Sequence, residues 1–227
     1  MSRRTIFKTI LMALVGIDLG MVALAVILYP AVLNQHLSYL YVLKPSCILL
    51  GFGIAAIYVA RAEGIRWETV RRNAAMLGIA TGGLEGINIL IEKIVPRFAS
   101  QPWVSIGFML VAFISWGGVA AWTSRSSGSM RAGIFAGVVS AGICMLIAVA
   151  AGFAIEIVLV PPDPAHVSTW AEFKRSGWTD ARAFGLANTL DSGFTHLLIA
   201  PIVALIFGTA GSALMRLAPF QAATRTR

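Results

Sequence analysis

Six long apolar stretches decide what this chain can fold into. They cover residues 8–29, 43–60, 73–95, 103–122, 131–160 and 185–217. Each is long enough to cross a hydrocarbon layer about 30 Å thick. Lipid offers no partner for backbone N–H and C=O groups, so a spanning segment must close its hydrogen bonds in a helix or in a barrel. The stretches lack the period-two alternation of barrel strands. The reading is therefore all-α: a polytopic membrane bundle of about six helices. Three stretches stop at prolines, Pro30, Pro96 and the pair Pro161-Pro162, where the helical ladder cannot continue.

Composition agrees. The chain is 58% hydrophobic and 12% charged, against about 25% charged in soluble domains, and its mean hydropathy is +0.81. Its length suits one membrane-embedded domain over 1–227. Ser2-Arg3-Arg4 before an apolar stretch resembles a signal peptide, but 9–29 exceeds the about 7–15 residues of a signal core. It also contains Asp18, so it is read as the first span. Cys47 and Cys144 both lie in apolar runs and are read as small core residues, with no disulfide or metal role.

The net charge of +8 reflects how the loops are placed, and no nucleic-acid partner is inferred from it. Twelve of the Lys and Arg residues fall on one side of the six spans: Arg3, Arg4 and Lys8, then Arg61, Arg66, Arg71 and Arg72, then Arg125 and Arg131, then Arg216, Arg225 and Arg227. Lys44, Lys93, Arg97, Lys174, Arg175 and Arg182 fall on the other. The first side is expected to be cytoplasmic, with both termini inside. A basic inner side without a cleaved signal suits a bacterial inner membrane. Two connectors are more than links. Residues 34–41 are aromatic and polar, as at an interface. The outer loop 161–184 is expected to hold a short helix capped by Ser168 or Thr169. Trp170, Phe173 and Trp178 would rest it on the membrane surface, either as a connector or as a lid.

Ionisable groups at membrane depth are costly and point to function. Seven residues form the candidate ligand- or ion-binding set: Asp18, Glu85, Asn88, Glu92, Glu156, Asp191 and His196. Asp18 and Glu85 fall near the middle of their spans. Thr81, Glu85, Asn88 and Glu92 share one helix face by their four-three-four spacing. Gly78, Gly82 and Gly86 form a row beside it that lets another helix approach. Segment six opens with a second polar face, Asn188, Asp191, Ser192 and Thr195, next to His196 and ahead of Pro201. Segments three and five echo each other, each carrying a glutamate shortly before its exit proline. A structural alternative stands beside each role: Asp18 bonding a neighbouring helix, and Glu92, Glu156 and Asp191 pairing with Lys93, Arg97, Lys44 or Arg182. The expected cavity opens to the outer side and is lined by segments one, three, five and six.

Converging carboxylates in an apolar bundle suit cation binding or proton uptake. The sequence holds no Glu-x-x-His or His-x-x-x-His pair, and His36, His166 and His196 are scattered. No metal, cofactor or catalytic residue is assigned, and the nucleotide-loop and Gly-x-Ser-x-Gly signatures are absent. The leading expectation is a small-solute or ion transporter, or the substrate-binding membrane subunit of one. In size and topology alone, the chain resembles the substrate-binding subunits of energy-coupling-factor importers. The alternatives are a non-catalytic subunit or assembly factor and, third, an enzyme acting on lipid or quinone. Besides the lipid bilayer, the expected partners are other membrane subunits or a second copy, docked through Gly16/Gly20, Gly78/Gly82/Gly86 or Gly133/Gly137.

Overall fold

The computed structural model describes residues 3–34, 39–95 and 102–217. Pro96, Arg97, Arg225 and Arg227, with residues 35–38 of the connector 34–41 and so His36, lie outside the described residues.

The protein is all-helical. Its six long helices are α1 (Arg3–Leu28), α2 (Leu40–Arg61), α3 (Ile65–Ile94), α4 (Pro102–Ser127), α5 (Met130–Phe153) and α8 (Ala181–Leu217). Two short helices, α6 (Pro164–Val167) and α7 (Ala171–Ser176), lie in the connector before α8. All six long helices are long and apolar enough to cross a membrane. The chain is a multi-pass membrane protein. Its outside matches: Ile27, Ile54, Ile114 and Leu214 are each about two-thirds exposed or more, which water would penalise and lipid accepts.

The helices run beyond the stretches expected from hydropathy. α3 begins at Ile65 rather than near residue 73, because its arginine-rich turns form helix outside the apolar run. Glu68 in its first turn suits the positive N-terminal end of the helix dipole. α8 starts at Ala181 and passes through Pro201 without a break. α1 ends before Pro30, which opens a 3₁₀ turn over Pro30–Leu33.

Helix α5 is the axis of the bundle. Over half of its span is buried (56%), twice the 28% share of every other span. Its sequence explains this. Ala132, Gly133, Ala136, Gly137, Ser140, Ala141 and Gly142 are all buried, and no charge lies between Arg131 and Glu156. Small residues on every face let neighbours close in from all sides. α3 packs most extensively on α5, and α8, α4 and α1 also pack against it. The approach to α3 runs through the glycine row. A Cβ on Gly78 would lie 2.8 Å from the Ser140 carbonyl oxygen, and one on Gly82 2.9 Å from that of Cys144. Two of the three small-residue faces are thus consumed inside the bundle, since Gly133 and Gly137 meet α4 and α8. A Cβ on Gly16 or Gly20 would meet no neighbouring helix within 4 Å.

The arginine-rich ends of the long helices gather at one end of the bundle. There Arg4 donates to the carbonyls of Ala60 (2.6 Å) and Arg61 (2.9 Å), and Arg71 to that of Ala62 (2.8 Å). Both thereby cap the C-terminus of α2, where carbonyls lack helical partners. Cys144 is buried, but Cys47, expected in the core, lies on an exposed face of α2. Apolar runs in a membrane helix cover the lipid face as well as the core, so hydropathy alone does not separate the two.

Candidate functional site

At the end opposite the arginines, the helices part around a cavity of about 630 Å³. Its walls come from the C-terminal part of α3, the C-terminal part of α5, the start of the 161–184 connector and the N-terminal half of α8. From α3 come Glu85, Ile89, Glu92 and Lys93. The i, i+4, i+7 spacing of the first three puts them on one face. From α5 come Met145, Val149, Gly152 and Phe153. From α8 come Asn188, Thr189, Ser192 and His196, again at helical spacing.

Glu156 belongs to a single π-helical turn, Ala154–Leu159, that prolongs α5. The Val160 N–H reaches the Ile155 carbonyl at 2.7 Å, a five-residue step. Single π turns of this kind widen a helix, and they recur at functional sites. Here the turn presents Glu156 to both neighbouring helices. Lys93 of α3 pairs with it at 2.5 Å, and the Thr189 hydroxyl of α8 donates to its other oxygen.

Glu92 is held by neutral donors. Asn88 Nδ2 lies 3.4 Å from it, and the Ser105 hydroxyl of α4 donates to the same oxygen. Asn88 is buried behind this face, and its own Oδ1 has no donor. Glu85 has no hydrogen bond or ion pair among the described residues. His196 is exposed to the cavity, and its Nδ1 lies 2.7 Å from the Ser192 carbonyl. A carbonyl only accepts, so Nδ1 carries the hydrogen and a neutral ring offers Nε2 as an acceptor.

The connector closes one side. Val167 is buried, and a Cβ on Gly185 would lie 2.9 Å from Pro162 and 3.0 Å from Val167, so the segment is seated tightly on the start of α8. Its helices are capped differently from expectation. Asp163 Oδ1 accepts from the Ala165 N–H at 3.0 Å at the start of α6, and Trp170 occupies the N-cap of α7. Ser168 and Thr169 instead donate backwards to the carbonyls of Ala165 (2.8 Å) and His166 (2.7 Å), a use open to any hydroxyl at the end of a turn. The aromatic residues bind protein. Phe173 and Trp178 pack on Phe184 and Trp178 on Tyr41, all at 5.5–5.8 Å between ring centres. Trp170 meets His166 edge-on at 5.9 Å and joins the cavity wall.

Of the seven sequence candidates, Glu85, Glu92, Glu156 and His196 line the cavity, and Asn88 lies behind it. Two stand apart. Asp191 is one residue, about 100° of helix, from Ser192 and pairs with Lys44 of α2 at 3.0 Å, away from the cavity. Asp18 is fully buried, with no donor to either oxygen. Val15 and Val22, three before and four after it, belong to the apolar cluster joining α1, α2, α5 and α8. Segment one, expected to line the cavity, contributes no residue to its wall, because this face of α1 is spent on that core. Thr189, Ser105 and Trp170 were not singled out as site residues. Thr189 alone had a readable signal, its place beside the Asn188–Ser192 face. Among the described residues no group of three or more His, Cys, Asp or Glu is arranged to hold a metal ion.

No protein family, curated protein or solved structure matches this chain.

Proposed function

We propose that the protein is a small-solute or ion transporter, or the substrate-binding membrane subunit of one. In this reading the arginine-rich end is cytoplasmic and the cavity faces the other side, in keeping with the distribution of Lys and Arg. The observation that carries it is the cavity: about 630 Å³ between α3, α5 and α8, with carboxylates from two helices and a histidine from a third on its wall. That volume falls in the range of small-molecule sites, roughly 300–1,000 Å³. Polar groups kept only to hold helices together pair with each other. Glu85 and His196 face open space instead, at a cost that a ligand would offset.

The test compares cells producing the wild-type protein with cells producing Glu85→Gln at equal membrane abundance, using untargeted mass spectrometry of their small molecules. At least one solute is expected to differ several-fold between the two. Identical profiles, in Glu85→Gln and in a paired Glu92→Gln strain, would sink the transport reading.

A second reading, a subunit of a larger complex, draws on α4. From Trp103 to Val111 this helix is largely exposed, with Trp103 78% exposed and Met109, Leu110 and Val111 all exposed in succession. Native mass spectrometry after gentle extraction would separate the two: a fixed-stoichiometry partner supports the subunit, and a lone chain supports the self-contained transporter.

A further inference from the structure

We infer that the solute seated in this cavity is a protonated amine on an apolar body; the inference rests on the solute-binding reading above. The polar wall carries several carboxylates, Glu85, Glu92, Glu156 and Asp163, and little positive charge. Glu156 is already neutralised by Lys93 at 2.5 Å. Lys93 is the one Lys or Arg on the wall among the described residues. Glu85 and Glu92 therefore have no Lys or Arg partner there. Lys44 of α2, outside the wall, is taken up by Asp191 at 3.0 Å.

Two uncharged groups, Asn88 and His196, tilt the same way. Asn88 is 5% exposed. It commits its amide N–H to Glu92, and this fixes which way round the amide lies and leaves Oδ1 without a donor. His196 spends its Nδ1 hydrogen on the Ser192 carbonyl, so a neutral ring turns an acceptor outward. Carboxylates and a ring nitrogen in excess call for a ligand that brings both charge and N–H donors, as an ammonium does. Much of the rest of the wall is apolar, from Met145, Val149, Phe153 and Trp170. A bare ion would leave most of about 630 Å³ unfilled. An organic body would fill it, and the Phe153 and Trp170 rings add the favourable faces that cations seek.

The experiment uses the full chain in phosphatidylcholine nanodiscs, with empty discs as reference and titration calorimetry as readout. The probes are 2-phenylethylammonium, its neutral counterpart 2-phenylethanol, and the carboxylate 3-phenylpropanoate. Saturable binding of the ammonium alone is expected. It should weaken about tenfold or more in Glu85→Gln and in Glu92→Gln, as expected when a charge-assisted contact is lost. Glu63→Gln, the same charge change at the arginine-rich end, should leave it unaltered. The ranking of the three probes on the wild-type protein tests the inference without any variant.

Equal or tighter binding of the alcohol or the carboxylate overturns the amine class and leaves solute binding standing. Failure of all three probes to bind overturns the amine class, and unchanged cell profiles would then remove the transport reading as well. An ammonium can be free or can be the headgroup of phosphatidylethanolamine. Replacing part of the disc lipid with phosphatidylethanolamine separates the two. Loss of probe binding assigns the site to the lipid amine and unchanged binding to a free amine; the ammonium class stands in both.

Discussion

At the arginine-rich end Ser124 donates to Ser212 at 2.8 Å and Asn73 to Thr123 at 3.0 Å, tying α4 to α8 and α3 to α4 inside the bundle. At the opposite end Glu85, Asn188, Ser192 and His196 line a cavity. Both ends carry polar side chains within long apolar helices. The difference lies in the backbone. At the first end glycine brings the helices together: a Cβ on Gly133 would collide with Ser124, Ser212 and the Ala120 carbonyl, and one on Gly211 with the Gly117 carbonyl. Short side chains then reach each other. At the second end α5 widens into a π turn and meets the Pro161-Pro162 exit, and the helices part around the cavity. Longer polar side chains project into the gap. Depth in the membrane makes a polar residue costly, but helix separation decides whether it meets a partner or faces open space.

The strongest way to break this comparison is to add one carbon at each end. Gly133→Ala is expected to cost about 1–3 kcal/mol or more, because a backbone carbonyl cannot step aside as a side chain does, and Gly133→Leu should yield no folded protein. Gly152→Ala on the cavity wall meets only Ile89 Cδ1, at 3.7 Å, and should stay within about 0.5 kcal/mol. Thermal unfolding in detergent, followed by fluorescence size exclusion, reads both. Similar losses at the two ends would show that the cavity end is packed as tightly as the other.

The next effect lies inside the cavity. Lys93→Met leaves Glu156, only 13% exposed, without its cation. Breaking one side of a fully buried pair costs about 3–5 kcal/mol. Lys93 is 41% exposed, so solvent screening reduces this to about 1–2 kcal/mol. Lys93→Met with Glu156→Gln should regain most of it, since an amide needs no counter-charge. A double variant no better than the single one would mean that the pair does not hold α3 to the end of α5.

These contrasts also mark where sequence reading stops. The six helices were legible because a span needs length and apolarity, and both are local. The face shared by Glu85, Asn88 and Glu92, and the glycine row beside it, followed from helical spacing. What separates Glu156 from Asp191 was not legible. Each sits near a lysine in the fold, but Lys93 faces the cavity and Lys44 does not, and only the packing of α2 and α3 around α5 decides that. The exclusion of Asp18 was hidden for the same reason: its spacing to Val15 and Val22 puts it on the core side of α1, yet a core face and a cavity face read alike in a helix apolar all round. The connector was misread at Ser168 and Thr169 because a hydroxyl serves a helix start or a preceding turn equally well.

Asp18 provides the finest test, because it belongs to neither end. Its carboxyl is fully buried among apolar side chains with no donor to either oxygen, so its polarity does nothing for packing. Asp18→Val removes the polar atoms at similar volume. If the group is only an unpaired burden, the variant should be as stable as the wild type or up to about 1 kcal/mol more stable, a rise of ~2–4 °C in melting temperature for a chain of this size. Asp18→Asn keeps a polar group there and should gain nothing. Loss of stability in the valine variant with retention in the asparagine variant would reverse the assignment. Asp18 would then be a strut with a partner reached in another arrangement of α1 and α2, and the contrast drawn between the two ends would extend to the middle of the membrane.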